Sequence, residues 1–426
     1  MIKKISILFF IVLGTQTYAQ KYTSSPYSYI GFGEMLSTTT VENQAMGKLS
    51  MYTDSIHLNL NNPAYLGKLS SGRIRVTNYA IGLSSSYSLL ASESQSSDNL
   101  ASRLEYVVVS FPLAKKLGFN FGIMPYTAMD YRLYATSSDG DGTALDNVFT
   151  GTGNLNKLFF SLGTRLFSFL DVGGSLYSNF GTISKQRVQS IPSVLNGTID
   201  RRTSRLKGVN YNFSAHLQLP LTKKVDVYSS LIYTSVNDLS STNLKEIGTV
   251  NMESGADIEV NPVNLSLINL NATTLSLPSK TSFGIGIGSD SSWFVGAQYA
   301  TTDLSLLKNE FLIQSNVNYQ KQSLLSIGGF YIPNSNNFAS YFQRSVYRAG
   351  VHMENTGYVI NGQEIKDFGL NFGIGVPVGG LLSNLNASLS LGVKGTKDAG
   401  LIKENYIKLK LSLSLNDLWF AKRQIN

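Results

Sequence analysis

The sequence predicts an all-β protein: a transmembrane antiparallel β-barrel of about 14 strands with an N-terminal hatch, or plug, in its lumen. Three observations lead to this fold class. Apolar and polar residues alternate along many stretches after residue 70, charged residues are few, and the chain begins like an exported protein. A strand with one apolar and one polar face fits a boundary between lipid and water. Closing such strands into a barrel satisfies every backbone polar group inside a bilayer.

Residues 1–19 are interpreted as a cleavable signal peptide. Lys3 and Lys4 precede an uncharged apolar run from 5 to 13, and the chain then reaches the small residue Ala19. This order is typical of export, and the apolar run is too short to cross a bilayer as a helix. The chain has no cysteine, which excludes disulfides and anchoring through a lipid-modified cysteine. We therefore expect the mature protein in the cell outer membrane.

Composition agrees with a barrel and excludes other classes of protein. Hydrophobic residues make up 42% of the chain and charged residues only 15%, against about 25% charged residues in soluble domains. Glycine (38), tyrosine (23) and phenylalanine (22) are abundant, which suits a crowded lumen and aromatic girdles. The net charge of +8 includes the two lysines of the signal peptide, and no later basic run exceeds two residues. A nucleic-acid partner is therefore not expected.

The barrel is predicted from 71 to 420, after an N-terminal segment at 20–70 and before a short tail at 421–426. Its last strand shows the alternation most clearly, with apolar residues from Ile407 to Leu415 separated by lysine and serine. About fourteen candidate strands can be counted, an even number as in bacterial single-chain barrels. They lie near 72–91, 101–113, 117–135, 154–168, 171–187, 205–220, 225–240, 279–289, 293–304, 314–332, 341–353, 365–377, 384–395 and 403–417.

Alternate connections should be short, because bacterial barrels have tight periplasmic turns and longer extracellular loops. Tight turns are predicted at 114–116, 168–170, 222–224 and 290–292. Longer extracellular loops are predicted at 136–153, 188–204 and 241–276. Two of the turns share a Pro-Leu-x-Lys-Lys core, in which the proline ends ladder pairing and the lysines stay in water.

The same alternation assigns faces to the strands. In the strand at 205–220, six side chains are predicted to face lipid: Val209, Tyr211, Phe213, Ala215, Leu217 and Leu219. Five side chains between them are predicted to line the lumen: Asn210, Asn212, Ser214, His216 and Gln218. In the strand at 365–377, the inward Gly369, Gly373 and Gly375 leave room for another part of the chain, which we expect to be the N-terminal segment.

No pattern predicts an enzyme, a metal site or a cofactor. The three histidines, His57, His216 and His352, lie in separate parts of the chain without the spacing of a metal site or a catalytic triad. The glycine-rich run at 284–288 is explained by strand alternation rather than by phosphate binding. An enzyme would need a nucleophile and a base brought together by folding, and few candidate bases exist.

The N-terminal segment is rich in glycine and polar residues and too long to serve only as a linker. By composition it is either a disordered periplasmic tail or a hatch that fills a lumen too wide for side chains to close. Two motifs are assigned to the hatch: Ala45-Met46-Gly47 and Asn62-Pro63-Ala64. They resemble the hatch of the long-chain fatty-acid transporter (FadL) family of outer-membrane proteins. The chain is most similar to an uncharacterised FadL-like branch.

The resemblance implies a fourteen-stranded barrel with a plug, and it suggests transport as the first hypothesis. A small hydrophobic solute would be captured among the extracellular loops, pass the hatch and leave sideways through the barrel wall. Four apolar residues of the loop at 241–276 are candidates for gathering this ligand: Leu265, Leu267, Ile268 and Leu270. The alternative interpretation of this loop is a hairpin that extends the barrel above the membrane.

A second hypothesis assigns the protein to a different class. The barrel would be a structural or carrier subunit of an outer-membrane complex for protein secretion or assembly, with its long loops as contact surfaces. A porin with an open aqueous channel ranks third, because a plug in the lumen would block it. In each case the outer-membrane lipid is a partner, and the apolar outer face predicts this contact.

Overall fold

The computed structural model describes residues 23, 25–54, 56–72, 75–290, 292–307, 309–312, 317–334, 336, 340–378 and 383–418. The proposed signal peptide and the tail at 421–426 lie outside these residues. Within these ranges no helix has the length and apolar character needed to cross a membrane.

The described residues form two short α-helices and nineteen strands, most of them in the barrel wall. The helices are α1 (Val41–Ala45) and α2 (Tyr65–Ser71). The strands are β1 (Glu34–Met35), β2 (Thr77–Ala91), β3 (Ser96–Pro112), β4 (Leu117–Ser138), β5 (Ala144–Phe167), β6 (Leu170–Ser190), β7 (Asn196–Pro220), β8 (Asp226–Thr234), β9 (Asn237–Asn251), β10 (Asp257–Pro262), β11 (Ala272–Leu277), β12 (Lys280–Ser289), β13 (Trp293–Asp303), β14 (Val317–Tyr319), β15 (Lys321–Tyr331), β16 (Val346–Ile360), β17 (Gln363–Pro377), β18 (Asn384–Lys394) and β19 (Lys403–Asp417).

The wall closes as a ring of 14 antiparallel strands, which confirms the predicted fold class. Three wall strands are each interrupted once, so that β8 with β9, β11 with β12, and β14 with β15 each fill one place in the ring. The last wall strand, β19, pairs with β2 from Lys403–Ala91 to Asp417–Thr77 and closes the barrel. Closure removes the unpaired edges that an open sheet would present to lipid.

The alternation assigned in the sequence is present in the structure. On β7, Tyr211 and Phe213 are about half exposed on the outer face, at 50% and 56%. Asn212 and His216 on the opposite face are buried, at 3% and 0%. The apolar side chains therefore face lipid and the amide and imidazole groups face the lumen.

The tight connections predicted for the periplasmic end are confirmed, but two predicted extracellular loops are wrong in extent. The ladder continues through most of 136–153, because β4 extends to Ser138 and β5 begins at Ala144. Similarly, only 191–195 separate β6 from β7 within the predicted loop at 188–204. These strand ends rise into water, where the outer faces are polar and the inward Ile183, Ile199 and Leu206 are buried, so the apolar outer face stops although backbone pairing continues.

The connection at 241–276 is largely a hairpin rather than a loop. Strand β9 continues to Asn251, and β10 pairs back onto it from Asp257–Val250 to Pro262–Glu246. A short 3-10 helix, Leu265–Ile268, then leads into β11. The structure therefore has the extended hairpin that was the alternative interpretation of this part of the sequence.

The described residues between 25 and 72, here called the luminal segment, run through the interior of the barrel. Helix α1 packs against β16 to β19, and α2 packs against β3 to β6 on a different part of the wall. Between the helices, Leu49, Met51 and Tyr52 form a buried cluster with Tyr228 and Phe294 of the wall. The segment thus contacts the wall around much of the ring and occupies the lumen.

Candidate functional site

The first hatch motif lies where the luminal segment leaves α1. Ala45 ends this helix, and Met46 and Gly47 follow, with Gly47 at φ 74 in the left-handed region that glycine adopts without strain. The backbone of Met46 touches the wall so closely that a Cβ atom on Gly328 or Gly350 would overlap it. These two wall positions must therefore be glycine for the backbone of the motif to pack against the wall.

The inward glycines of the strand at 365–377 serve a similar purpose only in part. A Cβ atom on Gly373 would lie 2.5 Å from the Cβ atom of Ala45, so this glycine makes room for the luminal segment as predicted. Gly369 instead makes room for His352, and Gly375 for Arg348, both of which are wall residues.

The second hatch motif precedes α2 and contacts the opposite part of the wall. The Asn62 amide donates to Ser230 Oγ at 3.2 Å, and the backbone N–H of Ala64 donates to Ser214 Oγ at 2.9 Å. The backbone of Pro63 rests against Gly173, where a Cβ atom would overlap it. Both motifs are thus contact points between the luminal segment and the wall, and their function as a hatch stays a prediction.

Buried ion pairs hold the luminal segment in addition to these contacts. The Nζ atom of Lys48 lies 2.8 Å from Glu354 and 3.3 Å from Asp367. Burial lowers the pKa of the Lys48 ammonium, but the two carboxylates more than compensate, so its pKa lies above the ordinary value. Beside them, Glu34 pairs at 2.7 Å with Lys394, which is directly opposed to Asp367 in the wall. Moving the segment would leave these charges unpaired inside the barrel.

The periplasmic turn between β12 and β13 binds the luminal segment through Asp290. Asp290 accepts hydrogen bonds from the hydroxyls of Tyr228 at 2.6 Å and Tyr52 at 3.1 Å, and it pairs with Lys68 at 2.9 Å. Burial raises the pKa of the Asp290 carboxyl, but Lys68 and the hydroxyl donors outweigh burial, so its pKa lies below the ordinary value. Since Tyr52 and Lys68 belong to the luminal segment, the turn acts as an anchor for it.

The wall is paired differently at one seam, between β3 and β4. Their ladder runs only from Pro112–Gly118 up to Val107–Ile123, although both strands continue toward the extracellular side. On its other edge, β3 bulges at Glu105, because pairing with β2 passes directly from Tyr106 to Leu104. A bulge of this kind bends a strand away from its neighbour.

The luminal segment supplies the partner that β4 lacks above this point. Strand β1 pairs with β4 at Glu34–Ala128 and Met35–Thr127. The N–H of Leu36 also donates to the carbonyl oxygen of Tyr126 at 2.9 Å. The seam is therefore closed by a part of the chain that is not in the wall.

The bulge itself is held by charges. Glu105 lies 2.9 Å from Arg103, 2.9 Å from Lys410 and 2.6 Å from Ser84 Oγ. Lys410 and Glu105 are almost completely buried. This network fixes the position at which β3 leaves β4.

A cavity of about 170 Å³ lies inside the barrel behind the seam. Its walls include Phe32, Leu36 and Tyr126, which belong to the closure of the seam, together with several polar groups. Lys157 enters between two aromatic rings, with Nζ 4.1 Å from the ring centre of Tyr126 and 4.4 Å from that of Tyr177. Cation–π contact of this kind holds a lysine in a half-apolar chamber without an acid beside it.

Of the four residues proposed to gather ligand, two are buried or partly buried and two are exposed. Leu265 is buried, and Leu270 is partly buried against the same apolar cluster of Leu206, Leu239 and Leu275. By contrast, Leu267 and Ile268 are 81% and 59% exposed. Leu265 and Leu270 therefore hold the cap of the barrel together, and only the other two are free to meet a solute.

The histidines lie at separate places, as the sequence suggested. His57 bonds to Asp54 at 2.7 Å, and the buried His216 bonds to Ser230 Oγ at 2.8 Å. His352 contacts the Asn371 amide at 2.9 Å. In the described part of the chain no group of three or more His, Asp or Glu side chains is arranged to hold a metal ion.

Sequence reasoning missed the seam. Its signals are weak: Pro125 in β4 lacks a backbone donor, and Tyr126 beside it is a bulge against β5. The acidic Glu105 next to the inward Tyr106 also breaks the alternation of β3. Such irregularities indicate a departure from regular pairing, but they do not show which segment fills the gap.

Fourteen strands, an occupied lumen and a seam closed from inside define an outer-membrane β-barrel filled by its own N-terminal segment. The chain belongs to the BamG family, whose family model, described as BamG, matches residues 1–426. The fourteen-stranded barrel implied by the FadL resemblance is the fold observed.

Solved structures with the same fold are distant in sequence. The monoaromatic hydrocarbon channel CymD is 14% identical with a TM-score of 0.59, covering 90% of this chain and 98% of that protein. The Ralstonia pickettii toluene transporter TbuX is 14% identical with a TM-score of 0.57, covering 88% and 97%. A Pseudomonas aeruginosa FadL homologue is 13% identical with a TM-score of 0.58, covering 91% and 99%. The comparison with curated proteins found no match. At these identities the likeness establishes the fold.

Proposed function

We propose that the protein admits a small hydrophobic solute across the outer membrane, past a hatch formed by residues 20–70 within a barrel formed by residues 71–420. The proposal includes export through the signal peptide at 1–19 and passive transport without catalysis. The observation that carries it is the seam, where β4 exchanges its wall partner β3 for the luminal segment.

The size of the cavity suits a small solute, and an exit directly into lipid suits an apolar one. The cavity behind the seam, about 170 Å³, compares with the engineered cavity of about 150 Å³ that admits benzene. Exit between β3 and β4 would lead such a molecule directly into lipid and spare it a polar lumen. The solved barrels described as a toluene transporter and a monoaromatic hydrocarbon channel share this fold, which supports the choice of substrate class.

The alternative exit toward the periplasm is obstructed. A second cavity of about 240 Å³ lies at the periplasmic end and is lined by Tyr52, His57 and Arg348. The luminal segment and its ion pairs separate it from the upper cavity. A solute leaving this way would have to displace the part of the segment held by Lys48 and Lys68, whereas the seam requires that β1 leave the edge of β4 and that one ion pair, Glu34–Lys394, give way.

A reversible tether tests this proposal. The chain contains no cysteine, so Met35→Cys with Thr127→Cys introduces a unique pair across β1 and β4. Directly opposed residues of antiparallel strands lie within disulfide distance. In proteoliposomes, oxidation should reduce uptake of toluene at least tenfold, and reduction should restore it.

The matched control is Ser161→Cys with Ser175→Cys, a directly opposed pair in β5 and β6 whose hydroxyls are 2.7 Å apart. This tether joins two wall strands that stay paired in the proposed mechanism, so toluene uptake should not change on oxidation. Equal uptake by the oxidised and reduced forms of the first pair would refute exit at the seam.

A second function is favoured by how firmly the luminal segment is held and by exposed aromatic residues at the periplasmic end. Phe342 and Tyr341, in the connection before β16, are 71% and 41% exposed. Aromatic residues in such a position suit contact with another protein. The barrel would then be a structural or carrier subunit of an outer-membrane complex for protein secretion or assembly.

Gentle purification from native membranes distinguishes the two functions. A stoichiometric partner that is lost on Phe342→Ser with Tyr341→Ser, while the barrel itself stays folded, would support the subunit role. A monomer that transports toluene would support the solute channel.

A further inference from the structure

The outward side chains of β7 change from apolar to basic between Val209 and Lys207. Exposed apolar side chains continue from Leu219 up to Val209, and the next two outward residues are Lys207 and Arg205, with Leu206 between them buried on the inner face. The stretch from Leu219 to Val209, at about 3.3 Å per residue and about 40° tilt, spans about 25 Å, the height of the apolar band of an outer-membrane barrel. The two cations therefore lie at the extracellular boundary of the membrane.

Strand register places uncharged polar groups beside these cations, except on the β6 side of Lys207, where Phe180 is opposed to it. Arg205 lies between Thr182 of β6 and Thr242 of β9, and Lys207 is paired with Ser240 of β9. Thr274 of β11 lies next to Ser240 in the same row. All four hydroxyl-bearing residues are exposed on this face. Side chains directly opposed across strands are about 5 Å apart, so the two neighbouring rows, Thr182–Arg205–Thr242 and Lys207–Ser240–Thr274, form one polar surface.

These two cations differ from the basic residues above them. Arg201 pairs with Glu246 and Asp257. Arg205 and Lys207 have no ion-pair partner within the described ranges of the chain. The acid closest in register is Asp238, one row lower, and it accepts a hydrogen bond from Ser276 at 2.6 Å.

We propose that Arg205 and Lys207 bind the phosphate of a phosphorylated glycolipid in the outer leaflet. The Arg205 guanidinium offers two parallel donors to phosphate, and Lys207 adds a point charge. The surrounding hydroxyls suit the sugar of the same headgroup. Phe180, directly opposed to Lys207, and Tyr211, further down β7, are exposed on the same outer face and would contact the acyl chains. The site is on the outer wall and is independent of transport through the lumen.

The test compares two variants that lose the same charge. Arg205→Gln with Lys207→Gln removes the proposed site. The control, Lys321→Gln with Lys366→Gln, removes two exposed lysines near the extracellular ends of β15 and β17. Lys366 already has Glu364 at 3.2 Å, and Lys321 is directly opposed to Asp303. Each full-length mature protein is placed in phosphatidylcholine nanodiscs with added bis-phosphorylated lipid A, and bound lipid A is counted by native mass spectrometry.

The site variant should bind lipid A about tenfold more weakly than the unchanged protein, and the control variant should bind it equally well. Dephosphorylated lipid A should lose affinity for the unchanged protein and show no difference between the variants. Equal binding of lipid A by both variants would overturn the proposal. Displacement of lipid A by millimolar inorganic phosphate alone would overturn it too, because the site would then recognise free phosphate. Heat-modifiable gel migration checks that each variant is a folded barrel.

Discussion

Wall glycines determine how closely the luminal segment can approach. Gly173 and Gly163 receive the backbone of Pro63, and Gly350 receives that of Met46. At each of these glycines, backbone atoms of the luminal segment occupy the space that a Cβ atom would fill. Close packing of this kind contributes dispersion contacts and excludes water, so a single added methyl group should be felt.

Two adjacent glycines of β6 give a matched test of this packing. Gly173→Ala should destabilise the protein by about 1–3 kcal/mol, because its Cβ atom would overlap Pro63. Gly174→Ala should be tolerated, since the nearest atom to its Cβ would be 3.5 Å away. Urea unfolding in detergent measures both. Equal losses in the two variants would show that the segment does not rest on this wall.

The Asp290 anchor predicts a pH dependence. Because the carboxyl has a lower pKa in the folded protein than the ordinary 3.8, its stabilisation is present above about pH 4 and lost as the pH falls. Trp293, three residues further on, should report loosening of the turn by fluorescence during thermal unfolding. The melting temperature should fall on acidification, and Asp290→Asn should lower it at pH 7 and remove part of that fall. A variant with the same acid sensitivity as the unchanged protein would exclude this anchor.

At the scale of elements, the seam depends on strand β3 leaving its neighbour at one defined place. The bulge at Glu105 is anchored by Arg103 and by Lys410 of β19, which reaches it through the interior of the wall. Without these partners the bulged carboxylate would be buried and uncompensated. The ion network therefore keeps β3 bent and leaves the edge of β4 to the luminal segment.

Lys410→Met should cost about 1–3 kcal/mol, because it removes one of the two cations bound to the buried Glu105 carboxylate and leaves only Arg103. Lys366→Met offers a control, since the Lys366 side chain is 71% exposed and surface changes usually stay within about 0.5 kcal/mol. Chemical unfolding followed by gel mobility measures the difference. Similar stability of both variants would mean that the network does not hold the bulge.

The alternation of apolar and polar residues was sufficient to predict the strands that cross lipid, because each of these strands has one apolar and one polar face. It failed where β6 and β7 extend above the bilayer, since their outer faces meet water there and their buried apolar residues, such as Ile183 and Leu206, lie on the inner face. It also failed at the seam, where Glu105 is fixed by Lys410 from the other end of the chain and where Met35 rather than a wall residue pairs with Thr127. Contacts between residues so distant in sequence leave no local periodicity.

The hatch motifs show the same limit at the level of a site. Resemblance singled out Met46 and Pro63, and both touch the wall. It did not identify the ion pairs of Lys48 or the anchor at Asp290, because a lone charged residue in sequence is indistinguishable from a solvated one. The sequence pattern located the segment, and only the folded chain identified what holds it.

At the scale of the whole molecule, the barrel is a closed outer-membrane cylinder occupied by its own N-terminal segment. Closure of β19 onto β2 satisfies the backbone of the wall, and the luminal segment fills a width that side chains alone would leave open. Both proposed functions require this arrangement. They differ in whether the segment moves.

Single-channel conductance in planar bilayers tests the central claim most directly. The mature protein should give little or no conductance, because residues 25–72 occupy the lumen. A variant lacking residues 20–70, confirmed as a folded barrel by heat-modifiable migration, should open large and stable conductance steps. Conductance that is the same with and without the segment would contradict the account.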